Sequence, residues 1–149
     1  MMSDTELIQM AAKLKEEGNI KFKAKLFNEA EGHYKEAIAF AENVNEDSEE
    51  LLKLKVTILQ NMTVCTNSTG SYEQSVKNST KAIELDDNAF KALYLRSVAQ
   101  SKLQKWDKAL VDIVAAIKLA PNDKNLRTHH ELVKEGKLKA RAQQKDSFA

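Results

Sequence analysis

Two lysines and two asparagines, Lys15, Asn19, Asn61 and Lys91, carry the most informative chemistry of this 149-residue chain. Residues three, four and seven positions apart share one face of an α-helix. By that spacing Ala12, Lys15, Asn19 and Phe22 lie on one face, and Thr57, Gln60, Asn61, Val64 and Ser68 on a second. Lys91, Tyr94, Leu95, Val98 and Lys102 lie on a third. Among them Lys15, Asn19, Asn61 and Lys91, a cation, two amides and a further cation, point to a common groove, and no carboxylate stands on these faces. Such a set suits an anion, because ammonium groups supply charge and amide NH₂ groups donate hydrogen bonds to a carboxylate. An extended peptide ending in carboxylates is the expected ligand, with Phe22, Val64, Tyr94, Leu95, Val98 and Lys102 lining its groove. Asn61 falls in mid-helix, where asparagine is a weak helix former and needs another reason to be present. A solitary lysine is ordinarily a solvated surface group, so the inference rests on the four residues taken together.

Catalytic and metal chemistry find no comparable support. His33 reads as a surface group on a helix. His129 and His130 are adjacent, so on a helix they diverge by about 100° and do not readily share a metal. Cys65 is the one cysteine. It has no histidine near it in sequence and is expected to pack as a small apolar residue. It also allows no internal disulfide, which fits a reducing, cytoplasmic setting. Neither a glycine-rich phosphate loop nor a serine-nucleophile motif occurs. No enzyme activity, cofactor or metal is expected of this chain.

Composition bounds the remaining classes. Apolar residues make up 42% and charged residues 30%, and one proline and four glycines leave little room for sheets and turns. The length predicts one domain with a sizeable core. No run of about 18 apolar residues occurs, so no membrane partner is expected. The first residues, Met1-Met2-Ser3-Asp4-Thr5-Glu6, are acidic and polar and do not read as a signal peptide. In that setting the Asn-X-Ser/Thr triplets at Asn61, Asn67 and Asn78 read as chance matches. The net charge of +1 is uneven: residues 1–50 carry 6 lysines against 12 acids, whereas 51–149 carry 17 basic and 10 acidic groups. The basic part has no arginine-rich patch interleaved with aromatics, so nucleic acid is not an expected partner.

The elements that must position these residues repeat. Tyr72 and Trp106, Ser75 and Ala109, Ala82 and Ala116, and Asp87 and Pro121 are each 34 residues apart. Phe27, Ala30 and Ala37 precede Tyr72, Ser75 and Ala82 by 45, so 11 extra residues separate the first unit from the second. A helical period of 34 with small and aromatic residues in fixed register is the tetratricopeptide pattern. The first expected helix, capped by Asp4 or Thr5, carries a stripe of Leu7, Ile8, Ala11, Leu14, Gly18 and Phe22 and ends before a turn near Lys25–Asn28; the next run from about Glu29 to Asn43, and from Glu49 to Thr66 behind a cap at Asp47 or Ser48. Three more follow at Ser71 to Leu85, Ala89 to Leu103 and Trp106 to Leu119. A last helix from about Asp123 to Gln144 covers the final repeat through Leu126, Leu132, Val133 and Leu138, as stacked repeats require of a cap. The expected organisation is a single domain over 1–149, with repeats at about 11–44, 56–89 and 90–121. An insertion at about 45–55 extends a helix, and a capping helix occupies about 122–146.

The Lys15-Glu16-Glu17-Gly18-Asn19, Ile58-Leu59-Gln60-Asn61 and Lys91-Ala92-Leu93-Tyr94-Leu95-Arg96 stretches resemble the three-repeat tetratricopeptide domain of co-chaperones that bind the C-terminal tails of heat-shock chaperones. That resemblance implies an all-α fold, a right-handed superhelix of three helix-turn-helix repeats closed by a capping helix. It also implies a dicarboxylate clamp on Lys15, Asn19, Asn61 and Lys91, with a terminal Glu-Glu-Val-Asp of the ninety-kilodalton chaperone as ligand, and the seventy-kilodalton chaperone as a further candidate. The family's clamp arginine would fall on Leu95, which is a departure. Arg96 is one residue late and should point away from the groove, while Lys102 returns to nearly the same face. The insertion, the Lys-Ala-Leu-Tyr run and the ending Lys139 to Ala149 resemble the tetratricopeptide half of large immunophilins, which carry a prolyl isomerase domain of the FK506-binding or cyclophilin kind. Every segment of this chain is assigned to repeat or cap, so isomerase activity would belong to a domain outside it. A scaffold for another partner, gripped through a hydrophobic groove at Leu95, is the competing expectation. Calmodulin could bind the basic last helix, but a basic cap is the simpler account.

Overall fold

The computed structural model describes residues 1–148, with side chains through 145. Ala149, last residue of the expected single domain, lies outside the described residues, as do the side chains of Asp146, Ser147 and Phe148. Seven helices and no strands make up the described residues: α1 (Asp4–Lys23), α2 (Phe27–Glu42), α3 (Glu49–Ser68), α4 (Tyr72–Leu85), α5 (Phe90–Lys102), α6 (Trp106–Leu119) and α7 (Lys124–Phe148). No helix among the described residues is long and apolar enough to cross a membrane.

Phe27, Tyr72 and Trp106, the aromatic residues in register, are each the first residue of the second helix of a pair. Each pair turns by the same device. Lys25 (φ 60°), Gly70 (φ 81°) and Gln104 (φ 60°) are left-handed, each two residues before that aromatic. The following amides, of Leu26, Ser71 and Lys105, donate to the carbonyls of Lys21, Thr66 and Gln100 at 3.0, 2.8 and 2.8 Å. This is the Schellman closure, which satisfies helix-end carbonyls that would otherwise be orphaned.

One detail of the helix ends differs from expectation. Ser3, not Asp4 or Thr5, caps α1, accepting from the Glu6 amide at 3.2 Å while the Glu6 side chain returns to the Ser3 amide. That reciprocal box satisfies two amides and outcompetes a single cap one residue later. The Asp4 carboxylate instead accepts from the amides of Asn45 and Glu46, both at 3.1 Å, and pins the α2–α3 connection to the start of α1. Ser48 caps α3 through the Leu51 amide at 3.0 Å.

Packing follows sequence order: each helix lies against the next, and α3 also meets α1 and α5, with α7 reaching α5. Small residues set the spacing. A Cβ on Gly18 would stand 2.6 Å from Tyr34 Cε1, so only glycine admits the ring that joins α1 to α2. Ala30, Tyr34, Ala37, Ile58, Cys65, Ala82 and Ala92 are fully buried in the core that runs from the first pair through the second to the start of α5. Leu93, Ile113, Ala116 and Leu126 centre the last one.

The last helix corrects a further expectation. Leu126 and Val133 are buried, but Leu132 and Leu138 are exposed at 51% and 64%. Leu126, His129, Val133 and Gly136 follow the helical period and form the packed stripe, while Leu132 lies about 100° off it. Gly136 lets the Trp106 ring lie against the α7 backbone, since a Cβ there would stand 2.3 Å from Trp106 Cη2. Lys137 Nζ and Asp107 Oδ1, 2.8 Å apart, fasten the same joint.

Candidate functional site

The first helix of each pair supplies one wall of a common groove: α3 lies between α1 and α5 and touches both. Asn19 of α1 and Asn61 of α3 meet there. Asn61 Nδ2 donates to Asn19 Oδ1 at 3.3 Å, and the Tyr34 hydroxyl donates to the same oxygen at 2.6 Å. With its carbonyl oxygen engaged twice, Asn19 holds its NH₂ group as the free end of the side chain. Tyr34 is fully buried, and burial pushes its phenol up to about 12, with Cys65 and Glu16 adding to the shift. It therefore stays a neutral hydrogen donor at any physiological pH.

Lys15 stands one turn before Asn19 on α1. It is half-buried, and its Nζ lies 3.7 Å from Glu16 Oε1, a carboxylate that is 69% exposed. Such a solvent-exposed pair is weak and leaves the lysine free to exchange partners. Lys91 and Lys102 on α5 are exposed and make no ion pair among the described residues. Thus Asn19 and Asn61 are in direct contact, Lys15 adjoins them on one helix, and Lys91 lies across α3 without touching them.

The groove-lining candidates other than Lys102 are half-buried. Phe22 packs edge-on against Phe27, with ring centroids 5.5 Å apart. Tyr94 meets the edge of His129 of α7, also at 5.5 Å. Val64, Leu95 and Val98 stand outside the packed cores. Asn67 Nδ2 donates to the Leu95 carbonyl at 3.2 Å and ties the end of α3 to the middle of α5.

Arg96 faces the other way, as its position in the helix predicts. Its Nε and Nη2 hold both oxygens of Asp112 of α6 at 2.7 and 2.8 Å, and Nη1 donates to Thr80 at 3.2 Å. The Asp112 hydrogen bond holds the guanidinium above its ordinary pKa despite the opposing cost of burial. Next to Arg96, Ser97 Oγ donates to the Ala109 carbonyl of α6 at 2.7 Å and so accepts from His129 Nε2 at 3.0 Å. Burial lowers the pKa of His129, assisted by neighbouring His130 and opposed by the Ser97 bond.

Sequence pattern alone does not reach Tyr34, Asn67 and His129 as supports of the groove. Tyr34 stands out only as a core aromatic in register, Asn67 as part of a turn, and His129 as one of an adjacent pair. Their roles come from contacts between helices. Cys65, by contrast, is buried as expected, and burial, with Glu31 adding to it, pushes its thiol up to about 11, away from nucleophilic chemistry. Among the described residues no three histidine, cysteine or acidic side chains gather at metal-binding distance.

No protein-family model matches the chain. The bovine peptidyl-prolyl cis-trans isomerase FKBP4 is 28% identical over 152 residues, a match covering 93% of this chain. It takes in 33% of that protein, so the chain spans about a third of the length of this curated relative. Among solved structures, the myosin chaperone UNC-45 of C. elegans in complex with an Hsp90 peptide is similar at 26% identity and a TM-score of 0.76, over 87% of this chain and 14% of that one. The C-terminal TPR-containing domain of a Plasmodium falciparum FK506-binding protein is similar at 30% identity and a TM-score of 0.86, over 95% of this chain and 97% of that domain. The likeness falls on the repeat domain of that protein, not on an isomerase domain. With its stacked helix pairs, recurring turns and closing helix, the chain belongs to the tetratricopeptide-repeat domains of the FK506-binding immunophilin type.

Proposed function

We propose that the chain is a peptide-binding co-chaperone module whose groove takes the acidic C-terminal tail of a ninety-kilodalton heat-shock chaperone. Lys15, Asn19, Asn61 and Lys91 form its carboxylate clamp. The observation that carries this is the Asn61–Asn19–Tyr34 chain of hydrogen bonds, which joins three helices and fixes an amide donor beside Lys15. A carboxylate arriving there meets donors already in place, so little ordering remains to oppose binding. The Hsp90 peptide held by the similar UNC-45 structure supports the choice of ligand. Repeats at about 11–44, 56–89 and 90–121 with a cap at about 122–146, and a cytoplasmic location in keeping with one buried, unpaired cysteine, complete the proposal. Any isomerase reaction belongs to another domain of a longer protein of this type.

A labelled peptide ending in Glu-Glu-Val-Asp should bind the wild type in the micromolar range and weaken as salt rises. Lys15→Ala should lose about tenfold or more in affinity, as expected for one charge-assisted hydrogen bond. Binding that survives Lys15→Ala would remove that residue from the clamp, and undetectable binding to the wild type would sink the chaperone-tail assignment. The competing function, a scaffold for a different protein, is favoured by Leu95, which puts an apolar side chain where the family's clamp has an arginine.

A further inference from the structure

The two ends of the groove are chemically unequal. At the α1–α3 end, Lys15 supplies charge beside two amides that are held by each other and by Tyr34. At the α5 end, Lys91 is followed four residues on, along the same helix face, by Leu95. Leu95 is half-buried and belongs to none of the packed cores. Val64, one turn before Asn67 on α3, and Val98, one turn after Leu95 on α5, share that status. The Asn67–Leu95 hydrogen bond at 3.2 Å draws these two helix segments together. Leu95, Val64 and Val98 thus give the α5 end an apolar wall.

The adjacent guanidinium does not make up for Leu95. Arg96 is held by both oxygens of Asp112 and by Thr80, and swinging it into the groove would strand Asp112, which is only 4% exposed. A buried carboxylate without its partner is strongly unfavourable. A ligand carboxylate set against this wall would lose hydration and find only the exposed lysines at its two ends, Lys91 and Lys102, in return, whereas an apolar side chain there gains burial.

Building on the clamp proposed above, we propose that the groove prefers a peptide C-terminus with one clamped carboxylate. The last side chain of such a peptide is apolar and seats against Leu95, Val64 and Val98. The α-carboxylate is read by Lys15, Asn19 and Asn61, and selectivity arises from what the α5 end fails to offer a second carboxylate.

Four labelled peptides test this on the full chain: tails ending in Glu-Glu-Val-Asp and in Glu-Glu-Val-Leu, each as free acid and as C-terminal amide. The Leu tail is expected to bind the wild type at least as tightly as the Asp tail, and amidation to weaken either by about tenfold or more. Leu95→Arg should tighten the Asp tail by about tenfold and weaken the Leu tail. Leu95→Ala, which adds no bulk to the groove, should weaken the Leu tail about threefold and the Asp tail by less, so that the Asp-to-Leu ratio moves toward Asp. A wild-type preference of about tenfold for the Asp tail would overturn the inference while leaving the clamp standing. An Asp-to-Leu ratio unmoved by both Leu95 variants would do the same. If neither free acid binds, the clamp falls, and this inference with it.

Discussion

Position in the helix decides what each arginine or leucine of α5 can do. Leu95 and Arg96 are neighbours in sequence, yet at about 100° apart they serve different faces, one toward the groove and one toward α6. The Arg96–Asp112 pair is two-pronged, and Thr80 takes a third donor of the guanidinium, so the charge is matched in geometry as well as sign. Its contribution is structural. Replacing Arg96 with Met keeps the packing volume but leaves Asp112, whose side chain is 6% exposed, without a counter-charge. The expected result is a loss of about 3 kcal/mol in stability, read as a lower urea midpoint with an unchanged slope. Tail affinity, measured where the variant is still folded, should stay within about twofold of the wild type, because uncoupled sites act independently. A tenfold loss of affinity would instead place Arg96 in the groove.

At the scale of the element, the three turns within helix pairs share one backbone conformation but not one residue type. Gly70 occupies its left-handed position without strain, whereas Lys25 and Gln104 hold theirs with a Cβ. A left-handed residue other than glycine costs roughly 1–2 kcal/mol, and glycine returns about 0.5–1 of that through its freer unfolded chain. Gln104→Gly should therefore raise Tm by about 1–3 °C. Gly70→Ala should lower it by a similar amount, since nothing stands within 4 Å of the added Cβ and only the backbone objects. Differential scanning calorimetry of the two variants beside the wild type reads both signs. Equal shifts in one direction would show that the turns do not set stability through φ. The turns also show what sequence makes legible. Phe27, Tyr72 and Trp106 mark the start of each second helix because one side-chain type must recur wherever one packing geometry recurs. The left-handed residues two places earlier go unmarked, because a hydrogen-bonded closure tolerates lysine or glutamine there. Ser3, Asp4 and Thr5 are all competent caps, and only the reach of Glu6 separates them. Lys15, Asn19 and Asn61 are legible by type and spacing. The bond between the two amides and its Tyr34 support are not, because they depend on how closely Gly18 lets α2 approach.

Across the whole molecule, contacts run mainly between consecutive helices, so the chain behaves as a stack in which each layer stabilises its neighbours. In such a stack the closing helix decides how far the last pair frays. The joint of α7 combines Leu126 and Val133 with the Gly136–Trp106 contact, the Lys137–Asp107 pair and the His129–Ser97 bond. His129 is the buried titratable group of that joint, and neighbouring His130 opposes its protonation. Its folded pKa is lowered from 6.5, chiefly by burial, so at pH values between the two the unfolded chain holds a proton that the folded chain does not. Stability from this group is therefore fully present above 6.5 and is lost as pH falls through that value toward the folded pKa. Between about pH 7.5 and about pH 5.5 the wild type should lose more stability than His129→Gln, which keeps a donor near the position of Nε2 but cannot titrate. Because Tyr94 lies against the His129 ring, loosening of α7 should also reach the groove, and tail affinity should fall with the same pH midpoint. Urea midpoints and tail affinities across that range, with the His129 ring followed by NMR, separate the possibilities. A ring that titrates at or above 6.5 would contradict the burial seen here, and an affinity that falls equally in His129→Gln would assign the acid sensitivity to the peptide's own carboxylates.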